Sequence, residues 1–356
     1  MAEGTLLQQM IQRHLNDRRD PSAQPAHRKR QGYMPKEGVQ RKKREAYENV
    51  NTFKPEGYLL NTPENKSRTR SRAALSDAIA EQRILEAKAV LCDSAHNLWV
   101  DLGCMRGMIP RLEGAIGIEE GNLRDIAIIS RVGKPVCFTV TGFSNDEKGE
   151  YALLSRRTVQ KACLEAYITS LTPGDVIDAR VTHLEPFGAF ADIGCGLPSL
   201  LPIDSISVSR ISHPRDRFQT GMDIRAVVKS VEEGGRITLS HKELLGTWEE
   251  NAALFEQGQT VAGTIRSVES YGVFVELSPN LAGLAEPRED VYVGQQASVF
   301  IKSLIPDRMK VKLIIIDSFD ACVLAENPRY FFDGDHMDRW QYSPESCSRV
   351  IESVFA

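Results

Sequence analysis

Two stretches of this chain carry one pattern, Thr182–Gly194 (THLEPFGAFADIG) and Arg266–Pro279 (RSVESYGVFVELSP). At an offset of 84 positions and without a gap, Phe187 maps onto Tyr271, Gly188 onto Gly272, Phe190 onto Phe274 and Asp192 onto Glu276. A fixed period means a repeated structural unit, which restricts the fold to copies of one small domain. The shared aromatic–Gly–x–Phe core is unusual for a strand, because positions i and i+3 of a regular strand point to opposite faces. A glycine between them permits a bulge or sharp twist that re-aims one side chain. The pattern therefore predicts that Phe187 and Phe190 share one face of a sheet. Two rings on one face either close a core or form an exposed stacking platform, and the pair alone leaves both readings open.

Composition narrows the class. At 356 residues the chain has room for two or three domains. Its apolar content is 42%, and no apolar run approaches the ~20 residues of a membrane span. Thr5–Leu15 is amphipathic rather than a continuous apolar block, so no secretory signal is read there. The seven cysteines form no C-x-x-C pair, which supports neither a zinc knuckle nor a disulfide framework. A cytoplasmic protein with free thiols is expected, without membrane association. The chain also lacks a phosphate-binding G-x-x-x-x-G-K-[ST], an H-E-x-x-H and a G-x-S-x-G elbow. No enzyme, cofactor or metal is expected, and Asp333-Gly334-Asp335-His336 is too sparse to count as a metal site.

Charge is unevenly spread about a net of −4. Residues 11–44 hold eleven bases against three acids, with Pro21, Pro25 and Pro35 and few large aliphatics. Such a segment cannot build a core. Lys66, Arg68, Arg70 and Arg72 extend the basic character. Residues 16–70 read as a flexible basic arm that either neutralises phosphates or simply solubilises the chain. The helix expected at Thr5–Leu15 places Leu7, Met10, Ile11 and Leu15 along one side.

Beyond the arm, a helix is predicted over Ser71–Ala89, followed by three β units. In the first, His96–Gly103 aligns with Phe187–Gly194 at an offset of 91, so that Trp99 stands where Phe190 does. Each unit then shows a strand soon after a glycine (Gly133, Gly221, Gly294) and a closing strand such as Arg236–Ser240. The third unit lacks about eleven residues corresponding to Ser209–Phe218, an insertion and hence a loop of the kind that carries binding groups. Helices are expected at Thr158–Thr169 and, from the capping box Thr247-Trp248-Glu249-Glu250, at Trp248–Phe255. Units of about 60–75 residues with five short strands fit small closed barrels. The aromatic tail after Asp317 is expected to pack back on the third unit or on a partner, with a final helix from Ser343-Pro344-Glu345.

The second and third units resemble the S1-type RNA-binding domain, an OB-fold barrel. The resemblance rests on Gly174-Asp175-Val176, Phe187-Gly188-Ala189-Phe190 and Val231–Ser240 (VEEGGRITLS). It covers roughly residues 84–315. It implies an all-β chain of three tandem OB-fold (S1-like) barrels joined by short helices, with a disordered basic N-terminal arm and a short C-terminal tail with a helix. The boundaries follow as 1–70 for the arm, 71–157, 158–246 and 247–317 for the barrels, and 318–356 for the tail. By position, the family's RNA-contacting residues fall on Phe187, Phe190, Glu232 and Arg236. The family's histidine is Pro202 in unit two and Glu286 in unit three. Unit three offers Tyr271, Phe274 and Lys310, and unit one keeps only Trp99, as expected of a structural or protein-docking copy. With the whole pattern in place, the stacking platform is the favoured reading of Phe187 and Phe190.

A base stacked on an exposed ring gains roughly 1–3 kcal/mol whatever its identity. Arg210, His213, Arg215 and Arg217 in the insertion are candidates to meet phosphates beside the rings. Glu232 either accepts from a base edge or holds Arg236, and Arg236 either meets phosphate or pairs with Glu232 or Glu233. Gly174–Lys242 holds eight bases and nine acids, so the barrel itself exerts little long-range pull on a polyanion. The expectation is weak, sequence-tolerant binding of single-stranded RNA, with messenger RNA and the small ribosomal subunit as the implied partners in translation. The alternative is a protein-interaction module that docks on the ribosome or an RNA-processing complex without touching RNA.

Overall fold

Alternating apolar and polar residues build three closed five-stranded barrels in this computed structural model, which describes residues 53–232, 235–321 and 327–355. The Thr5–Leu15 helix and the basic stretch 11–44 lie outside the described residues. Two compact units are present. The first runs through Ser170 and includes Gly194–Gly196, and the second comprises Leu171–Ile193 and Leu197 onward.

The first unit holds α1 (Pro63–Thr69), α2 (Arg72–Ala80) and barrel one, made of β1 (Leu85–Cys92), β2 (Leu98–Asp101), β3 (Arg106–Ile109), β4 (Pro135–Asp146) and β5 (Gly149–Ser155). A short helix α3 (Ile126–Ile129) lies between β3 and β4, and α4 (Arg156–Ala166) follows β5. The strand order β1-β2-β3-β5-β4, closed by β4 on β1, is that of an OB barrel. Leu75, Leu98, Ile109, Ile128, Phe138 and Leu154 fill its core.

Two expectations are corrected in this unit. The predicted helix over Ser71–Ala89 stops at Ala80, because Gln82 takes a left-handed φ of 52° and Leu85 enters β1. The arm does not extend to residue 70, since the chain is folded from Phe53 onward. The Glu56 carboxylate is buried against Arg156 (2.6 and 3.0 Å). Burial alone would raise its pKa, but the adjacent guanidinium overcomes this and holds the acid below its usual range. Asn65 exchanges two 2.9 Å hydrogen bonds with the Glu86 backbone and so pairs with β1 as a strand would. Arg68, assigned by sequence to the basic arm, is paired with Glu81, and Arg72 of the same weaker basic cluster is paired with Glu150.

The second unit contains two further barrels. Barrel two is β6 (Val176–Glu185), β7 (Gly188–Asp192), β8 (Pro198–Pro202), β9 (Asp223–Val231) and β10 (Ile237–Ser240). Helix α5 (Trp248–Ala252) leads into barrel three, formed by β11 (Thr260–Glu269), β12 (Gly272–Ser278), β13 (Leu281–Ala285), β14 (Gln296–Ile305) and β15 (Lys310–Phe319). The expected capping box is present: Glu250 N donates to Thr247 Oγ1 at 3.2 Å and Thr247 N to Glu250 Oε2 at 2.7 Å. One apolar cluster joins Val176 and Val227 of barrel two, Leu244 and Trp248 of the connection, the core of barrel three and Trp340, Tyr342 and Phe355 of the tail.

The tail packs back as its aromatics predict, with the Tyr342 hydroxyl donating to Asn280 O at 2.6 Å. The final helix expected from Ser343 is absent. Instead β16 (Arg339–Gln341) pairs with β17 (Glu352–Val354), because Tyr342 N and the Ser343 hydroxyl bond Ile351 across the hairpin.

Candidate nucleic-acid interface

In barrel two the ring pair sits where β6 turns into β7. Phe187 lies in the turn and Phe190 in the strand, with ring centroids 6.1 Å apart and planes at 82°. The two rings therefore meet, but not by a bulge at Gly188. The irregularity falls on the facing strand, between Val181 and His183. Gly188 instead permits close approach of β8, where a Cβ would stand 2.5 Å from Leu201 O. Exposure separates the rings: Phe187 is 36% exposed and Phe190 only 3%. The expectation of two outward rings is corrected here, since only Phe187 presents surface and Phe190 supports it edge-on.

The remaining candidates of barrel two are scattered. Arg236 and Glu232 are exposed and pair with each other at 3.7 Å, the ion-pair reading of Arg236. His213 accepts a hydrogen bond from Arg215 N at 3.1 Å and caps a short 3-10 turn, so its Nδ1 is engaged locally. Arg210 and Arg215 are exposed. Arg217, expected beside phosphates, is buried and donates to Glu276 of barrel three at 2.5 Å. His241, unclaimed by sequence, is a buried structural histidine between Phe218 and Tyr330.

Barrel three repeats the arrangement in a more open form. Tyr271 and Phe274 meet at 6.1 Å and 87°, again with a register shift on the facing strand, between Ile265 and Ser267. Tyr271 is 64% exposed and Phe274 half-buried. The register runs Phe274 opposite Leu284 and Leu284 beside Lys312, so ring, leucine and ammonium share one outward row. Lys310 and Lys312 are both exposed. Lys312 was missed by sequence reasoning. The alternation Lys310-Val311-Lys312-Leu313 was its available signal, as it puts both lysines on the face away from the core.

Barrel one keeps the same position in different chemistry. Trp99 faces Leu91 across a register shift, as Phe190 faces His183 in barrel two. It meets Tyr151 of β5 at 5.3 Å and donates from Nε1 to Asp93 at 3.0 Å. The Arg106 guanidinium lies 5.1 Å from the Trp99 ring and pairs with Asp146. Tyr151 comes from a strand far along the chain, which no local motif signalled. His96, mapped onto Phe187, pairs instead with Asp125.

Barrels two and three thus present an aromatic pair at corresponding positions, whereas barrel one joins Trp99 to a ring from a different strand. Among the described residues, the exposed Lys310 and Lys312 of barrel three form no ion pair. Comparison with known proteins agrees with the topology. Residues 170–242 match the S1 RNA binding domain family. The chain is 29% identical over 263 residues to small ribosomal subunit protein bS1 of Staphylococcus aureus, an alignment covering 69% of this chain and 64% of that protein. The same protein of Staphylococcus epidermidis gives the same figures. The chain thus matches 64% of the length of these curated relatives. A multidomain protein with nucleic acid binding domains from Streptococcus pneumoniae aligns at 14% identity over 69% of this chain and 76% of its own, with a TM-score of 0.23 that carries no weight here.

Proposed function

We propose that this chain, which carries an S1 RNA binding domain and is similar to bS1, is a non-catalytic protein that binds single-stranded RNA. The observation that carries this reading is the recurrence of an edge-to-face aromatic pair at the same strand position in barrels two and three. The accessible member of each pair, Phe187 and Tyr271, offers a π-face on which a base stacks without regard to sequence. Phosphate contacts come from Arg210, Arg215, Lys310 and the basic stretch 11–44, and Glu232 holds Arg236. The relatives' name supports a setting in translation at the small ribosomal subunit, hence in the cytoplasm, with messenger RNA as the natural single strand.

A docking role without RNA contact is the second reading, favoured by the burial of Phe190 and by the Arg236–Glu232 pair. Titration of a labelled single-stranded RNA decides between them. Binding by the wild-type chain that falls in the Phe187→Ala/Tyr271→Ala variant, with unchanged circular dichroism, supports the RNA reading. Unaltered affinity in that variant moves docking ahead.

A further inference from the structure

The insertion that barrel two has and barrel three lacks is anchored in barrel two by Phe218 against His241 and reaches across to barrel three. Its backbone runs along barrel three. Ser209 N donates to Pro279 O at 3.1 Å and Val208 N to Asn280 Oδ1 at 3.0 Å. Arg217 pairs with Glu276 at 2.5 Å, and Asp216 with Arg266 at 3.5 Å. Glu276 is the outward neighbour of Phe274 on β12, since Val275 between them points into the core. Two residues along a strand span about 7 Å, so the insertion is fastened one step from the ring.

We propose that residues 208–217 of barrel two form one wall of the nucleobase surface of barrel three. One RNA strand then stacks on Tyr271 and Phe274 while Arg210 and Arg215 hold its phosphates. This rests on the RNA-binding reading above and specifies where the strand lies.

The charge pattern explains why the wall matters. Glu276 and Asp216 would repel a phosphate, but the buried Arg217 and the half-buried Arg266 neutralise them within one ion-pair cluster. Arg210 and Arg215 remain exposed and form no ion pair among the described residues. On the other side, Phe274 faces Leu284, which stands beside Lys312, and Lys310 lies two residues earlier on the same face of that strand. Arg210, Arg215, Lys310 and Lys312, which form no ion pair among the described residues, thus bracket the Phe274 end of the surface. Glu269, opposite Gly272, and Glu286 occupy the Tyr271 end, so the phosphates run on the side of the lysines and the insertion. In barrel two the exposed Arg236 pairs with Glu232 at 3.7 Å.

The test measures anisotropy of a labelled uridine oligomer of about 12 nucleotides with the full chain across a salt series. The Arg210→Ala/Arg215→Ala variant is expected to reduce the slope of log affinity against log salt by about 1.4, some 0.7 per phosphate contact on a single strand. Combined with Tyr271→Ala, its loss is expected to fall short of the product of the separate losses by about threefold or more, the signature of groups on one site. Combined with Phe187→Ala, the losses are expected to multiply. An unchanged slope, or coupling to Phe187 in place of Tyr271, overturns the proposal while leaving RNA binding intact. Failure of the wild-type chain to bind overturns the RNA reading itself and this proposal with it.

Discussion

Arg217 of the barrel-two insertion and Glu276 of barrel three form a 2.5 Å ion pair in which both side chains are buried. Arg266 reaches the same carboxylate at 3.0 Å, so one acid ties the insertion to β11 and β12. Removing one member of a buried pair typically costs about 3–5 kcal/mol, because the partner is left without compensation. Here Arg266 supplies part of that compensation. Arg217→Ala is therefore expected to lower stability by about 2–3 kcal/mol, read as a reduced urea midpoint with circular dichroism. A loss under about 0.5 kcal/mol would mean that the pair does not secure the insertion.

The two rings of barrel two are expected to separate function from stability. Phe190→Ala removes a buried side chain and should destabilise the fold by about 3 kcal/mol. Phe187→Ala should leave the melting temperature almost unchanged while weakening RNA binding by about 1–3 kcal/mol. The comparison needs only a thermal melt and a titration of each variant, and a reversed pattern would refute the assignment.

Two buried titratable groups predict opposite pH dependences. Burial raises the Glu86 pKa to about 7 from 4.5, with hydrogen bonds from Gly57, Leu60 and Leu59 N–H only partly offsetting it. Its contribution is complete below pH 4.5 and is lost as pH rises through about 7, a change of roughly 3 kcal/mol. Burial also depresses His241, to about 4 from 6.5. Its contribution is present above pH 6.5 and is lost as pH falls through about 4. Urea unfolding across pH 4–8 should show the first dependence flattened in Glu86→Gln and the second in His241→Gln. Retention of either dependence in its variant would disprove that assignment.

Gly188 stands so close to β8 that an added methyl would press on the Leu201 carbonyl at 2.5 Å. Gly188→Ala is expected to lower stability by about 1–3 kcal/mol and to weaken RNA binding by displacing Phe187, as hairpin and ring move together. Melting and titration of this single variant check both effects, and a variant of unchanged stability would show that the strand accommodates the methyl freely.

Periodicity made the barrels legible in the sequence. The 84-residue offset, the capping box at Thr247 and the apolar alternation of the strands are local signals, and local sterics and burial suffice to turn them into hairpins and a capped helix. The correspondence of Phe187 with Tyr271 and of Phe190 with Phe274 is likewise a property of the chain alone. Tertiary packing settled which rings meet solvent, since exposure depends on neighbours supplied from elsewhere in the chain. It buried Phe190, left Tyr271 open, joined Tyr151 to Trp99 and took Arg217 out of the candidate phosphate contacts by giving it Glu276. It also replaced the expected final helix by a hairpin, because the 351 segment offers Tyr342 and Ser343 hydrogen bonds that no local pattern encodes. Strand periodicity is written residue by residue, whereas burial and charge pairing arise only when distant segments exclude water from one another.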